Sequence, residues 1–205
     1  MKFVGLQSLI ILAIEINYLR YLPLAGKSHK YCYQALSQPA KHFPRAWSGP
    51  PILALVIGIN EYTSLPCLQG AVADADAFEN FLKECLKVPD ANIINLRNKQ
   101  ASRKSIISEL ISLRDKSPYS KDEAAIIIFY AGHGAHTKIP KKWEIEGWNT
   151  SNGRVEMLCP SDIGCLVNGE ESVIEGIPDR TISVVLNQIA KTKGNNIVSV
   201  FNSSE

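Results

Sequence analysis

The sequence has few cysteines, and they form no recognisable pattern. The five are scattered and odd in number, namely Cys32, Cys67, Cys85, Cys159 and Cys165. Because no C-x-x-C pair is present, the cysteines do not indicate a zinc site, and they are too sparse for a disulfide scaffold. This usage is typical of a protein in a reducing compartment. We therefore expect a cytoplasmic location.

The sequence also lacks a strong charge of either sign. Its formal net charge is +2, and it has no long basic run and no basic residues interleaved with aromatic ones. We therefore do not expect nucleic acid as a partner. Apolar residues make up 45% of the 205 residues and charged residues 20%. These proportions are typical of a folded domain with a sizeable core rather than of a disordered chain.

No segment is apolar over the roughly 20 residues that a membrane-spanning helix requires. The nearest candidate is Val4 to Ile16, which is similar to the hydrophobic core of a signal peptide. Gln7 and Glu15 interrupt it, and no small-x-small cleavage site follows before Arg20. We expect no stable membrane span. Two interpretations remain: an amphipathic or poorly ordered extension, which is favoured, and secretion if residues 1–22 act as a signal peptide.

Prolines and the absence of any sustained periodicity mark the segment between Leu22 and Pro51 as a linker. We therefore divide the chain into an amino-terminal extension, residues 1–50, and one domain, residues 51–205. Within the domain, apolar runs and helical spacing alternate. The predicted strands are Ile52–Ile59, Ile93–Leu96, Ile126–Tyr130 and Ile197–Phe201, and the predicted helices begin near Gly70, Ser102 and Asp179.

This alternation predicts an α/β domain of three layers, with a mostly parallel sheet and helices on both faces. Two further segments, Trp143–Trp148 and Arg154–Leu158, alternate between apolar and polar residues and are separated by turn residues. They predict a β-hairpin appended to the domain.

The central strand ends in the most informative motif of the chain, Gly-His-Gly, which carries His133. Chemistry collects at the carboxyl ends of parallel strands, and two glycines let the backbone turn sharply and leave room for a substrate beside the imidazole. The motif alone leaves two interpretations. His133 is a catalytic residue, or it lies in a tight turn with its ring nitrogens satisfied by carbonyl groups.

Five segments together favour the catalytic interpretation, because their order and spacing match one family. From about Ile52 onward the chain resembles the large-subunit region of the caspase/metacaspase superfamily, and most of all fungal caspase-domain proteins. These are cysteine endopeptidases with a His/Cys dyad. The matching segments are ALVIGINEY (Ala54–Tyr62), LQGAVADADAF (Leu68–Phe78), IIIFYAGHGA (Ile126–Ala135), MLCPSD (Met157–Asp162) and GIPDRTI (Gly176–Ile182).

The resemblance implies roles for three residues and a polypeptide substrate. His133 matches the catalytic histidine, which activates the thiol and protonates the leaving amine. Gly134 matches the position whose backbone N–H stabilises the tetrahedral oxyanion. Asp74 matches an acidic residue that binds the basic P1 side chain, Arg or Lys, in metacaspases. Without the resemblance, Asp74 would be interpreted as a first-turn helix acid favoured by the helix dipole.

The other candidates are weaker. Asp162 is expected to anchor a loop, and the scattered cysteines to be packing residues rather than nucleophiles. His136 could form a metal pair with His133, but no further ligand lies nearby in the sequence, so we expect an exposed loop residue and no metal. No cofactor is indicated. Calcium activation, a property of many metacaspases, has no location in this sequence.

The nucleophile is missing from its expected position. In the family, the strand after the third helix ends in a D-x-C-H-S-G type motif that supplies the cysteine. Aligned by that strand, Asn202 stands at the aspartate position, Ser204 at the nucleophilic cysteine and Glu205 at the following histidine. A serine hydroxyl has no anionic population comparable to that of a thiol, and it needs a base held by a third group. We therefore expect the chain to be inactive as a peptidase.

The resemblance also predicts an incomplete sheet. The family sheet has six main strands in the order 2-1-3-4-5-6, and this chain supplies the first four, so residues 51–205 form a partial caspase-like peptidase domain. We expect a truncated product, such as a gene model that skipped a splice site. The alternative is an inactive pseudo-peptidase that acts as a protein-interaction module through its exposed edge strand.

Overall fold

The computed structural model describes residues 49–115, 117–139, 153–167 and 172–204. Residues 1–48 of the extension and the predicted strand Trp143–Trp148 lie outside the described residues. In the described part, none of the helices is long and apolar enough to cross a membrane. The strands are β1 Ile52–Gly58, β2 Ile93–Arg97, β3 Ala125–Lys138, β4 Arg154–Leu158, β5 Ile177–Pro178 and β6 Ile197–Ser204, and the α-helices are α1 Ala71–Glu84, α2 Arg103–Asp115 and α3 Asp179–Lys193. Two 3-10 helices, Asp90–Asn92 and Asn98–Gln100, flank β2.

Four parallel strands form the centre of the sheet in the order β2-β1-β3-β6. This is the predicted order 2-1-3-4, because β6 is the fourth of the predicted strands along the chain. Beyond the end of β1, β4 pairs antiparallel with the outer half of β3, and β5 pairs with β4. The register puts Gly58, Ala131 and Asn202 in one row across the sheet.

Helices cover both faces of this sheet, as predicted. Strand residues alternate between two apolar cores, because successive side chains of a strand point to opposite faces. The core under α1 contains Ala54, Val56, Ala75, Leu82, Phe129 and Val200. The core under α2 and α3 contains Leu55, Ile57, Ile106, Leu110, Tyr130 and Ile182. The result is a three-layer α/β domain.

The central strand does not end where the sequence predicted. β3 continues through Gly-His-Gly to Lys138, so the expected sharp turn at His133 is wrong. Neither Gly132 nor Gly134 has a left-handed φ. The physical reason is that β4 supplies a partner for residues 134–138, so this part of the chain can stay extended. For the same reason β6 continues past the predicted end at Phe201 to Ser204, since β3 pairs with it throughout.

Gly58 lets α1 lie close to the sheet. A Cβ at this position would lie 2.6 Å from the Ala75 Cβ and 2.9 Å from the Ala71 carbonyl oxygen. We predict that Gly58→Ala lowers the free energy of unfolding by about 1–3 kcal/mol, because the helix must move outward to accept the methyl group. Urea denaturation measures this change.

Gly70, at the start of the same helix, provides the matched control. A Cβ there would meet nothing within 4 Å. Gly70→Ala should therefore cost less than about 1 kcal/mol, which is the range of a change in helix capping alone. Equal losses for the two variants would contradict the proposed role of Gly58.

Candidate active site

The loop after β1 is held over the carboxyl edge of the sheet by two asparagines. The side-chain oxygen of Asn98 accepts the backbone N–H groups of Asn60 (2.9 Å) and Glu61 (3.2 Å). The side-chain oxygen of Asn60 in turn accepts the N–H of Val72 (3.1 Å) in the first turn of α1. Asn98 has a φ of 46°, a conformation that asparagine tolerates better than most residues. This bonding fixes the direction in which the loop leaves β1.

His133 lies in β3 beneath this loop and is half-buried. Its Nε2 is 2.9 Å from the backbone carbonyl oxygen of Pro66. A carbonyl oxygen can only accept, so the neutral ring carries its proton on Nε2 and has Nδ1 as its basic nitrogen. One nitrogen is therefore satisfied by a carbonyl, as in the non-catalytic interpretation, while the other keeps the electron pair that a general base needs.

Two tyrosines that were not among the predicted site residues contact His133. Its backbone N–H donates to the Tyr62 hydroxyl (2.8 Å), and the two rings lie 4.9 Å apart. The Tyr130 hydroxyl lies within hydrogen-bond distance of the carbonyl oxygens of His133 (2.7 Å) and Cys159 (2.8 Å). Burial raises the pKa of Tyr62, and it raises the pKa of Tyr130 well above its ordinary value, so both remain neutral phenols. Of the two, Tyr130 could have been found from the sequence, because it lies inside a predicted buried strand and its hydroxyl must find a partner.

The backbone N–H of Gly134 faces β6. The His133 carbonyl accepts the N–H of Cys159 (3.0 Å), so the backbone polar groups of His133 face β4. Successive N–H groups of a strand face opposite edges, which directs the Gly134 N–H to the other side. A Cβ at Gly134 would lie 3.0 Å from the Ser203 side chain, so a larger residue would crowd β6.

Position 204 stands beside His133 in the sheet. The register pairs His133 with Ser204 across β3 and β6. The sequence alignment placed Ser204 at the nucleophile position, and the strand pairing independently brings its backbone next to the histidine. His133 and the position that the resemblance assigns to the nucleophile are therefore neighbours in the sheet, and a serine occupies that position.

Asp74 and Asn202, which are 128 residues apart in the sequence, are in direct contact. The Asn202 Nδ2 donates to Asp74 Oδ2 at 2.9 Å. Burial raises the pKa of the half-buried Asp74 carboxyl, and the hydrogen bond from Asn202 opposes this shift. Ala131 in β3 and Val200 in β6 belong to the core under α1. Residues two positions apart in a strand point to the same face, so His133 and Asn202 also lie on the face covered by α1, the helix that carries Asp74.

The remaining candidates lie apart from this group. Asp162 accepts the backbone N–H of Arg103 (2.8 Å), which ties its loop to the start of α2 and agrees with the predicted anchoring role. His136 is exposed as predicted, but it lies in β3 rather than in a loop. In residues 49–204, outside the undescribed gaps, no group of three His, Cys, Asp or Glu residues could hold a metal ion.

The described cysteines differ in exposure. Cys159 is buried, and burial raises its pKa to about 11, which makes its thiol a poor nucleophile at neutral pH. Cys67 is exposed, whereas Cys85 and Cys165 are partly buried. Their positions agree with packing or surface roles, although Cys67 follows Pro66 directly in the loop above His133.

A three-layer α/β domain with a histidine on its central strand, at the carboxyl edge of the parallel sheet, has the architecture of a caspase-like peptidase domain. The sequence profile of the caspase domain family matches residues 52–178, which is more than half of the chain. The chain therefore belongs to the caspase domain family, a family of peptidases that act on polypeptides.

A likeness to one solved structure supports the fold. The crystal structure of protein GSU0716 from Geobacter sulfurreducens matches with a TM-score of 0.51 and 17% identity, over 74% of this chain and 49% of that protein. This chain thus spans about half the length of that protein. Among curated protein sequences, none is significantly similar to this chain.

Proposed function

We propose that residues 51–205 carry the histidine and the P1-binding residues of a metacaspase-type cysteine endopeptidase that cleaves after Arg or Lys. The pairing of His133 with position 204 is the observation that carries this proposal. It supports a dyad in which a thiol at position 204 attacks the scissile carbonyl carbon. A cytoplasmic location belongs to the same proposal.

The proposed chemistry uses His133 and Gly134 in turn. The basic Nδ1 of His133 takes the proton of the attacking thiol, and the resulting imidazolium then protonates the leaving amine. The Gly134 N–H, which faces the β6 side, stabilises the oxyanion of the tetrahedral intermediate. With a hydroxyl at position 204, the attacking group has no stable anionic form. In the described part of the chain the His133 ring meets the Pro66 carbonyl, not a carboxylate that could act as the triad acid. The chain with Ser204 is therefore expected to bind peptides without cleaving them.

The proposed P1 site combines Asp74 and Asn202. Their contact supports a pocket in which the Asp74 carboxylate pairs with the guanidinium or ammonium group of the substrate. The Asn202 amide orients that carboxylate, and its own oxygen is a further acceptor. Because Asn202 replaces an aspartate of the family motif, this pocket carries one negative charge where the family has two. The proposed mechanism needs no cofactor, and calcium activation has no proposed site.

The proposed dyad predicts an unusually reactive thiol in the Ser204→Cys variant. An unperturbed thiol has a pKa of about 8.5, so its thiolate is scarce at pH 6, whereas pairing with imidazolium makes the thiolate abundant. We expect iodoacetamide to alkylate the introduced thiol at pH 6 at least about tenfold faster when His133 is present than in the Ser204→Cys, His133→Ala double variant. Peptide mapping by mass spectrometry measures the rate at each cysteine.

Ser203→Cys is the matched control for this experiment. Residue 203 is adjacent in β6, and its side chain lies on the opposite face, towards Gly134. Its thiol should react at the same rate with and without His133. If the thiol introduced at position 204 is likewise indifferent to His133, the dyad proposal fails.

A second candidate function is an inactive interaction module. Among the described residues β6 pairs with β3 alone, and its sequence IVSVFNSS carries no charge that would protect an edge. Such an edge can accept an added strand from another chain. Sedimentation of the purified chain at increasing concentration tests this candidate: self-association would support it, and a monomer at all concentrations that binds no extended peptide would exclude it.

A further inference from the structure

Two tyrosine hydroxyls replace one hydrogen bond of the β3–β4 ladder at His133. The Cys159 N–H donates to the His133 carbonyl (3.0 Å), as in a hydrogen-bonded antiparallel pair. In such a pair the His133 N–H would donate to the Cys159 carbonyl in return. Instead, the His133 N–H donates to the Tyr62 hydroxyl (2.8 Å), and the Cys159 carbonyl lies 2.8 Å from the Tyr130 hydroxyl. The two phenols therefore occupy the space of the missing reciprocal bond.

Gly132 provides the room for this arrangement. A Cβ at this position would lie 2.6 Å from the hydroxyl oxygens of both Tyr62 and Tyr130. The first glycine of Gly-His-Gly is therefore required by a packing constraint and not by a turn, since β3 is extended there. Any larger residue would displace the hydroxyls from the ladder.

The arrangement is not one that the fold requires. A direct bond between His133 and Cys159 would satisfy the same two backbone groups without burying phenols, whose polar groups must then find partners of their own. Both rings are nearly inaccessible, with Tyr130 0% and Tyr62 8% exposed. The effect of the hydroxyl contact is that the loop bearing Tyr62 is tied to the backbone of His133. Four residues further along, the same loop supplies the Pro66 carbonyl that meets the imidazole.

We propose that Tyr62 and Tyr130 are positioning residues for His133, which hold the loop so that the Pro66 carbonyl selects the tautomer with its proton on Nε2. The inference deepens the proposed function, because it assigns the groups that present Nδ1 as the base. Neither tyrosine is assigned contact with the substrate. The assignment concerns the ring of His133 and its backbone amide, so it can be tested without proteolysis.

The test is Tyr62→Phe in the full chain, followed by nitrogen NMR of the His133 ring and by amide hydrogen exchange. The variant keeps the ring and removes only the hydroxyl. We expect the His133 amide to exchange roughly tenfold faster, since it loses its acceptor. We also expect the ring to change from one tautomer, protonated on Nε2, to a mixture of the two. Unchanged exchange and an unchanged tautomer would overturn the proposal.

Tyr119→Phe is the control for the loss of a tyrosine hydroxyl as such. The Tyr119 hydroxyl accepts a hydrogen bond from Asn92 (3.2 Å) away from His133, so this variant should leave the ring signals unchanged. The unmodified chain provides a further measurement that does not depend on the folding of any variant. A His133 ring protonated mainly on Nδ1 in that chain would also overturn the proposal. The NMR result and the thiol alkylation result are independent, so failure of one proposal is distinguishable from failure of the other.

Discussion

Replacing Ser204 by cysteine is expected to convert a chain that we propose to be inactive into a peptidase for substrates with Arg or Lys at P1. Loss of a nucleophile removes several orders of magnitude of rate, so its restoration should raise kcat/KM by at least about 1,000-fold. The physical reason is the thiolate that imidazolium can stabilise and that a serine hydroxyl cannot form. Release of a fluorophore from an Arg-P1 peptide measures the change.

Two further variants make this result specific. Ser203→Cys brings a thiol into the same strand on the opposite face and should remain inactive. Adding His133→Ala to Ser204→Cys should remove the gained turnover, whereas turnover that survives this change would come from a contaminant. Cleavage by the unmodified chain that depends on His133 would contradict the proposal that the dyad lacks its nucleophile.

Removing the charge of Asp74 is expected to weaken binding of an Arg-P1 peptide by about 30-fold. This corresponds to about 2 kcal/mol, the lower end of the range for removing one partner of a buried charge pair, because Asp74 is only half-buried. Asp74→Asn keeps the shape of the side chain and its contact with Asn202. Titration of the unmodified chain and of the variant, followed by NMR, gives both affinities without turnover.

Charge selectivity separates this role from a structural one. The same peptide with citrulline in place of Arg has a neutral side chain of nearly the same shape, so Asp74→Asn should change its affinity little. Asp76→Asn is the matched control variant, since Asp76 lies on the same helix but pairs with Arg97 (2.9 Å). A loss of Arg-peptide affinity of equal size in Asp76→Asn would exclude a specific P1 role for Asp74.

Acidification provides a second measure of the Asp74 interaction. Burial raises the pKa of Asp74, so on lowering the pH this carboxylate takes up its proton earlier than an ordinary aspartate, whose pKa is about 3.9. The protonated form has lost the charge that pairs with guanidinium. Affinity for the Arg peptide should therefore decline from a pH above the ordinary aspartate range, and it should be independent of pH in Asp74→Asn.

Much of the fold was predictable because its elements are local. The run Ile52–Gly58 is apolar at every position except its last, and such a continuous run is typical of a strand covered on both faces. The alternation of strands with helices predicts a parallel sheet. The predicted end of β3 was wrong, because it rested on the glycines of the motif. Glycine permits a turn but does not cause one, and the partner strand β4 decided the outcome.

The site was predictable only in part, because its contacts, like the end of β3, depend on residues that are distant in the sequence. The family motifs predicted His133, Gly134, Asp74 and position 204 as site residues from their order along the chain. The sequence by itself determined which residues are candidates for the site, with a serine at the position that the resemblance assigns to the nucleophilic cysteine. Only the tertiary structure decided three hydrogen bonds of the site. The Asn202 amide donates to Asp74, the His133 backbone N–H donates to the Tyr62 hydroxyl, and the His133 ring meets the Pro66 carbonyl. These contacts join residues 67 to 128 positions apart, and hydrophobic periodicity carries information only about neighbours within a few turns or strand positions.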